Sequence, residues 1–209
     1  LTEHPRSPKT GNPRPYAMTR RAEQVDETRQ QIVDAAVHLH GTLGPAATTI
    51  AAIAQHAGVT RLTVYRHFPD ATALFTACSQ DWLSRRTLPR PDQWARIDDP
   101  VERLRTGLAD LYRYYRTDPQ MLALIHRDIH AVPEPIRSAR YAEAQHQTDI
   151  LTAPFADPGE PERRLRRALT AHATAFPTWQ SLCEHQGLTD AEAVAAMTAL
   201  VTRLPADDT

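Results

Sequence analysis

The chain has 209 residues, with 24 Lys and Arg against 25 Asp and Glu for a net charge of −1, and 41% of it is hydrophobic. That length is enough for one or two domains with a real core, and the balance is that of an ordinary soluble protein. The apolar runs are too short to span a bilayer and no charged-then-apolar leader opens the chain, so the reading is cytoplasmic and not membrane-bound. Cys78 and Cys183 are the only cysteines. In a reducing compartment they read as packing residues. Lys9 is the sole lysine, which reads as genomic base-composition bias toward Arg. The first residue is Leu1, which fits an unusual start codon or an incomplete N-terminus, and Met18 is a candidate for the true start.

Charge is unevenly placed. Residues 1–68 carry eight basic and five acidic side chains, and the remainder is net acidic. A basic head on an acidic body suits a nucleic-acid reader, although chance asymmetry would look the same.

Residues 1–24, rich in Pro and Arg, have no apolar periodicity and read as a flexible basic arm. From Asp26 the spacing of Ile32, Ala36, Leu39 and Leu43 predicts a helix, which Gly44-Pro45 stops. Thr48-Thr49 caps a second helix that buries Ile50, Ile53, Ala54 and Ala57. Then comes "GVTRLTVYRHFPD". Ala54, Gly58 and Val64 stand at the offsets of a helix-turn-helix: a small residue at the crossing, a positive φ at the turn and an apolar anchor in the next helix.

With Thr60 as cap and Val64 and Phe68 inward, Leu62 and Arg66 point outward, flanked by Thr63 and Tyr65, with Arg61 at the tip. An outward Leu between Arg and Thr is poor surface chemistry unless that face meets something. A major groove suits it: Arg grips guanine edges or phosphates, and Leu or Thr touches a thymine methyl. Tyr65 and His67 are placed for phosphates. A structural hairpin with a solvated face is the alternative.

The stretch "ATTIAAIAQHAGVTRLTVYRHFPDATALF" resembles the DNA-binding head of the TetR family of bacterial regulators, over about residues 26–85. The resemblance implies an all-α protein: a three-helix, homeodomain-like helix-turn-helix head at 25–70, a connecting helix at 71–86, and a helical ligand-binding and dimerisation domain at 87–209. It implies DNA contacts from Thr49, Thr60, Arg61, Leu62, Thr63, Tyr65, Arg66 and His67. Two positions depart from the family pattern. Ala71 stands where a phosphate-binding Lys is usual, and Ala51-Ala52 where a polar reader is frequent, so affinity rests more on other contacts.

Beyond "TLPRPDQWARIDDP", read as a linker, the pattern is helical. Leu104, Leu108, Leu111 and Tyr115 mark one helix, with Tyr112 alongside, and Leu122, Ile125 and Ile129 mark another that stops before Pro133. A longer, poorly periodic helix runs from about Pro135 to Leu151. Leu165, Leu169, His172, Phe176, Trp179 and Cys183 step along one face of a helix that Pro177 kinks. After Gly187, Thr189 caps a last helix with a seam of Val194, Met197, Val201 and Leu204.

The resemblance implies a homodimer on operator DNA, released by a small effector, with the last two long helices pairing across the dimer. Leu169, Phe176, Val194, Met197 and Val201 are the interface residues this gives, although a seam packed within one subunit would look the same. Tyr112, Tyr115, His126, His130 and Phe176 are pocket candidates, as aromatic walls with a few polar handles, against plain core roles for each. An apolar effector is expected.

His126 and His130, four apart in "HRDIH", could share a metal. Arg127 stands where a zinc-protease motif needs Glu, so no metal site, cofactor or catalytic residue is assigned. A helical metal-dependent enzyme, or an adaptor using its helix-turn-helix for protein contacts, are the competing readings.

Overall fold

The computed structural model describes residues 14–156 and 159–203, and every regular element among them is helical. Helices α1 (Arg14–Thr42), α2 (Ile50–His56) and α3 (Arg61–His67) form the head, and α4 (Ala71–Ser84) leads out of it. The body holds α5 (Pro91–Trp94), α6 (Pro100–Tyr115), α7 (Pro119–Arg127), α8 (Glu134–Thr152), α9 (Glu160–Thr174), α10 (Phe176–Trp179) and α11 (Asp190–Thr202). None of the described helices is long and apolar enough to cross a membrane.

Polar caps fix where most of these helices begin. Thr49, Thr60, Asp70, Asp99, Asp118 and Thr189 each accept a backbone N–H from the first turn that follows, and Thr189 and Glu192 complete a reciprocal capping box. α6 and α7 open on Asp-Pro, which costs no hydrogen bond because the first N–H groups of a helix have no intrahelical acceptor.

There are two cores. Ile32, Val33, Ala36, Ile53, Val64 and Phe68 fill the head, joined by Leu74, Ala77 and Cys78 of α4. Trp94, Leu104, Leu108, Tyr112, Leu151 and Trp179 fill the body, where α6 packs on α8 and α11, and α9 lies against both of these.

Several expectations are corrected. α1 begins at Arg14, so residues 14–24 are helical and are no flexible arm; what is expected of residues 1–13 lies outside the described residues. Thr19, Arg20, Ala22, Glu23 and Gln24 face solvent, so this stretch needs no apolar stripe and leaves no periodicity to read. The 87–99 segment is a packed arm. Trp94 is fully buried with its Nε1–H on Asp110 (3.1 Å), and the buried Arg103 guanidinium donates to the carbonyls of Ile97, Ala95 and Ile150 at 2.7–3.1 Å. Those three carbonyls satisfy a cation that would otherwise be costly to bury.

α7 stops at Arg127, and a 3-10 turn over Ile129–Ala131 follows. The chain breaks at Ala175 (φ −74°, ψ 136°), so α9 and α10 are separate helices and no kinked helix runs through Pro177. Pro177 lacks an N–H and is accommodated in the first turn of α10. A π-helical turn, Gln180–His185, continues from α10. On α9 the buried residues are Thr170, Ala173 and Thr174, while Leu165 and His172 face out.

Candidate nucleic-acid interface

The turn between α2 and α3 is closed by two backbone bonds, Val59 N–H to Ala54 O (2.9 Å) and Gly58 N–H to Gln55 O (3.2 Å). That is the Schellman arrangement, and it requires a left-handed residue at position 58. Gly58 has φ +67°, with open space where a Cβ would stand, so the backbone angle alone selects glycine. Ala54, Val64 and Phe68 are buried, and Arg29 lies over the Phe68 ring at 4.9 Å. These contacts hold the short α3 in one orientation.

Its outer face is the most exposed apolar surface of the molecule's head. Leu62 is 68% exposed and Tyr65 53%. Arg61 and Arg66 are exposed on the same short helix and make no hydrogen bond or ion pair among the described residues. Thr60 accepts the Thr63 N–H (3.2 Å), and the two hydroxyls are 2.9 Å apart, so both threonines have partners within the helix start. Thr49 is exposed and spends its hydroxyl on the Ala52 N–H (3.1 Å). His67 is half-buried beside Phe68. All eight predicted positions therefore lie on α3 or the caps of α2 and α3. They present two uncommitted guanidinium groups, an apolar tip and a phenol, which is chemistry for phosphates and base edges.

The two alanines at 51 and 52 are half-buried, and Ala71 is exposed at the start of α4. Asp70 caps α4 through the Ala73 N–H at 2.7 Å.

Body and head are joined by contacts that the sequence pattern did not show. Asp128 is buried and accepts the Ala46 N–H (3.0 Å), while Arg127 donates to Leu43 O (2.9 Å) and to both carboxylate oxygens of Asp128. The hydrogen bond from Arg127 is the main reason the Asp128 pKa falls to about 2. Between these partners passes Gly44 (φ +92°), where a Cβ would stand 2.4 Å from both side chains. A second tie joins α4 to the cap of α7. Asp118 accepts from Trp82 Nε1 (2.9 Å) and Arg86 Nη2 (2.5 Å), and Arg86 stacks on Trp82. The "HRDIH" segment thus matters through Arg127 and Asp128. His126 and His130 are exposed, and the end of α7 between them removes the one-face spacing of a shared metal.

The remaining body candidates take structural places. Tyr112 and Tyr115 donate to Ala173 O (2.8 Å) and Thr174 O (2.6 Å), the last carbonyls of α9, which the break at Ala175 leaves without helical partners. Burial raises both phenol pKa values. Phe176 packs edge-on to Tyr115 at 5.5 Å, and His126 lies 6.4 Å from Phe176, its pKa lowered by partial desolvation and then by the Arg140 charge. Of the expected interface residues, Phe176, Val194 and Val201 are consumed by the body's own core, Leu169 and Met197 are partly buried against it, and Leu204 lies outside the described residues.

The class of fold that this geometry defines is a helix-turn-helix head with an appended helical body. The family model described as bacterial regulatory proteins, tetR family, matches residues 32–78, the span from the core of α1 through most of α4. The match covers the head alone, and the body lies outside it. Its fold is similar to that of NalD of Pseudomonas aeruginosa, the secondary repressor of the MexAB-OprM multidrug efflux pump. The two share 21% identity over 90% of this chain and 100% of that one, with a TM-score of 0.60. An alanine-substituted mutant of HlyIIR is similar at 17% identity, covering 86% of this chain and 97% of that one, with a TM-score of 0.55.

Proposed function

We propose that this chain is a transcriptional regulator, a ligand-responsive repressor that binds palindromic operator DNA as a homodimer and is released by a small effector. The observation that carries the DNA-binding part is the outer face of α3, where exposed Leu62 and Tyr65 stand with the uncommitted Arg61 and Arg66 on a helix fixed by the Gly58 turn. Repression has a precedent in the structurally similar NalD.

Dimer formation is supported by the outward surfaces of α9 and α11, which lie side by side. Ala168 and Ala171 with Leu165 on one, and Ala195 and Ala196 with Leu200 on the other, are exposed. Small residues let two helix pairs approach closely, and a two-fold axis would set the same patch against itself. The two recognition helices would then meet successive major grooves, about 34–36 Å apart or a multiple of it.

Effector response is read as a population shift. Head and body touch through the Arg127–Asp128 clasp and the Asp118–Arg86–Trp82 tie, so a ligand that favours one arrangement of these contacts changes operator affinity. A coupling of about 1–3 kcal/mol would suffice for a 5–150-fold response.

The test is retention of DNA from the protein's own upstream region, followed by footprinting. The expected result is a two-fold symmetric footprint and an affinity that falls steeply with salt. Equal retention of every fragment, with no protected site, would contradict sequence-specific regulation.

A further inference from the structure

Where head meets body there is a cavity of about 70 Å³, walled by α1 and α4 on one side and α7 and α8 on the other. Phe75 and Trp82 of α4 and Met121 of α7 supply its apolar walls. Its lining includes one cation, Arg140, and no carboxylate. Arg140 is exposed and makes no hydrogen bond or ion pair among the described residues, so its charge is uncommitted. His40 is 95% buried, stacks on Phe75 at 4.5 Å, and has no hydrogen-bond partner among the described residues. The Ser79 hydroxyl is likewise unpartnered among them. A buried imidazole with an unused N–H, a free hydroxyl and a free guanidinium on one apolar cavity are unspent polar groups that only a ligand or water can satisfy.

We propose that this head–body cavity binds a short aliphatic carboxylate, its anionic end on Arg140, Ser79 and His40 and its chain against Phe75, Trp82 and Met121. The charge follows from a lining with a cation and two neutral donors but no anion. The shape follows from volume. The space is roughly half of the ~150 Å³ cavity that takes benzene, so it holds an acid of about three carbons and excludes a ring. Met121 is the adaptable wall, since a thioether chain has several low-energy shapes. The inference rests on the regulator reading for its consequence, because the ligand would touch α1 and α4 of the head and α7 and α8 of the body together.

The test uses the full chain with sodium propionate, 1-propanol and sodium benzoate as probes, read by calorimetry and by melting temperature. Propionate is expected to bind at least 10-fold more tightly than propanol or benzoate and to raise the melting temperature. Arg140→Gln, on an exposed residue, should reduce the preference for propionate over propanol to less than 3-fold, and Ser79→Ala should weaken propionate several-fold. Equal binding of propionate and propanol by the unmodified protein, no binding of propionate, or an unchanged preference in Arg140→Gln would each overturn the proposal. DNA retention is measured in the same samples. Retained DNA with no propionate binding sinks the cavity assignment and leaves the regulator reading standing. Arg140-dependent binding of propionate by a protein that retains no DNA supports the cavity and sinks the regulator reading instead.

Discussion

Asp128, in the body, accepts the backbone N–H of Ala46, in the head, at 3.0 Å, and the residue next to it, Arg127, holds the Leu43 carbonyl at 2.9 Å. One pair of adjacent side chains therefore grips the loop that leads into α2. Its partners on the head are backbone groups, so the grip reads the position of the loop and not its side chains. Any rotation of body against head must break or carry these bonds.

Asp128→Ala should lower stability by about 1–3 kcal/mol, the range for hydrogen bonds to a charged group, and should weaken the coupling between ligand and DNA more than it weakens DNA binding itself. Urea denaturation and operator titration with and without effector check this. An unchanged effector response would remove the clasp from the coupling. Because the Asp128 pKa is held at about 2, below its ordinary value, the clasp's contribution is full above pH 4 and is lost as pH falls through 2.

Tyr115 donates to Thr174 O and packs on Phe176 and Trp179, so its removal is a stability effect first. Tyr115→Phe should cost about 1 kcal/mol and Tyr115→Ala about 3–5 kcal/mol, with operator affinity unchanged at a temperature where the variants stay folded. Loss of DNA binding by folded Tyr115→Phe would mean that this hydroxyl supports the head.

Burial holds His40 at a pKa of about 4, against 6.5 in an open chain. Between those values the unfolded chain takes up the proton and the folded one does not, so stability is full above pH 6.5 and falls as the solution is acidified toward 4. From pH 7 to pH 5 the loss from this group is about 2 kcal/mol. His40→Leu should flatten the profile by about that amount. A variant whose stability falls as steeply as the unmodified protein's would show that His40 is already charged or solvated.

Ala196 and Leu200 lie on the outward side of α11, opposite the core residues Val194 and Val201. Ala196→Glu with Leu200→Glu should yield a folded monomer, because like charges would meet across the two-fold axis and be buried without partners. Light scattering and circular dichroism separate this from unfolding. A dimer that survives both substitutions would move the interface elsewhere.

The head was legible because its signals are local. Gly58, the Thr60 cap and the inward Val64 and Phe68 are each set by backbone chemistry within a few residues. The body was less so. Trp94 sits in a Pro-rich stretch with no period, yet α6 buries it through Asp110. On α9 threonines face the core and Leu165 faces out, which inverts the usual apolar stripe. In the sequence Arg127 and Asp128 stand out only as neighbours of two histidines, since a contact across more than eighty residues leaves no periodic mark. Among the described residues, the buried hydroxyls of Thr170 and Thr198 have no hydrogen-bond partner.

The central claim is that the outer face of α3 reads DNA, and the most direct measurement is the operator affinity of single variants across a salt series. Arg61→Ala and Arg66→Ala should each weaken binding and reduce the salt slope by about 1 wherever the side chain meets a phosphate, or cost about 1–3 kcal/mol at one base pair wherever it meets guanine. Leu62→Ala should alter base preference and leave the slope unchanged, because it removes no charge. If all three variants, with helical content intact, bind the operator with unchanged affinity, slope and preference, α3 is not the reading helix and the account fails.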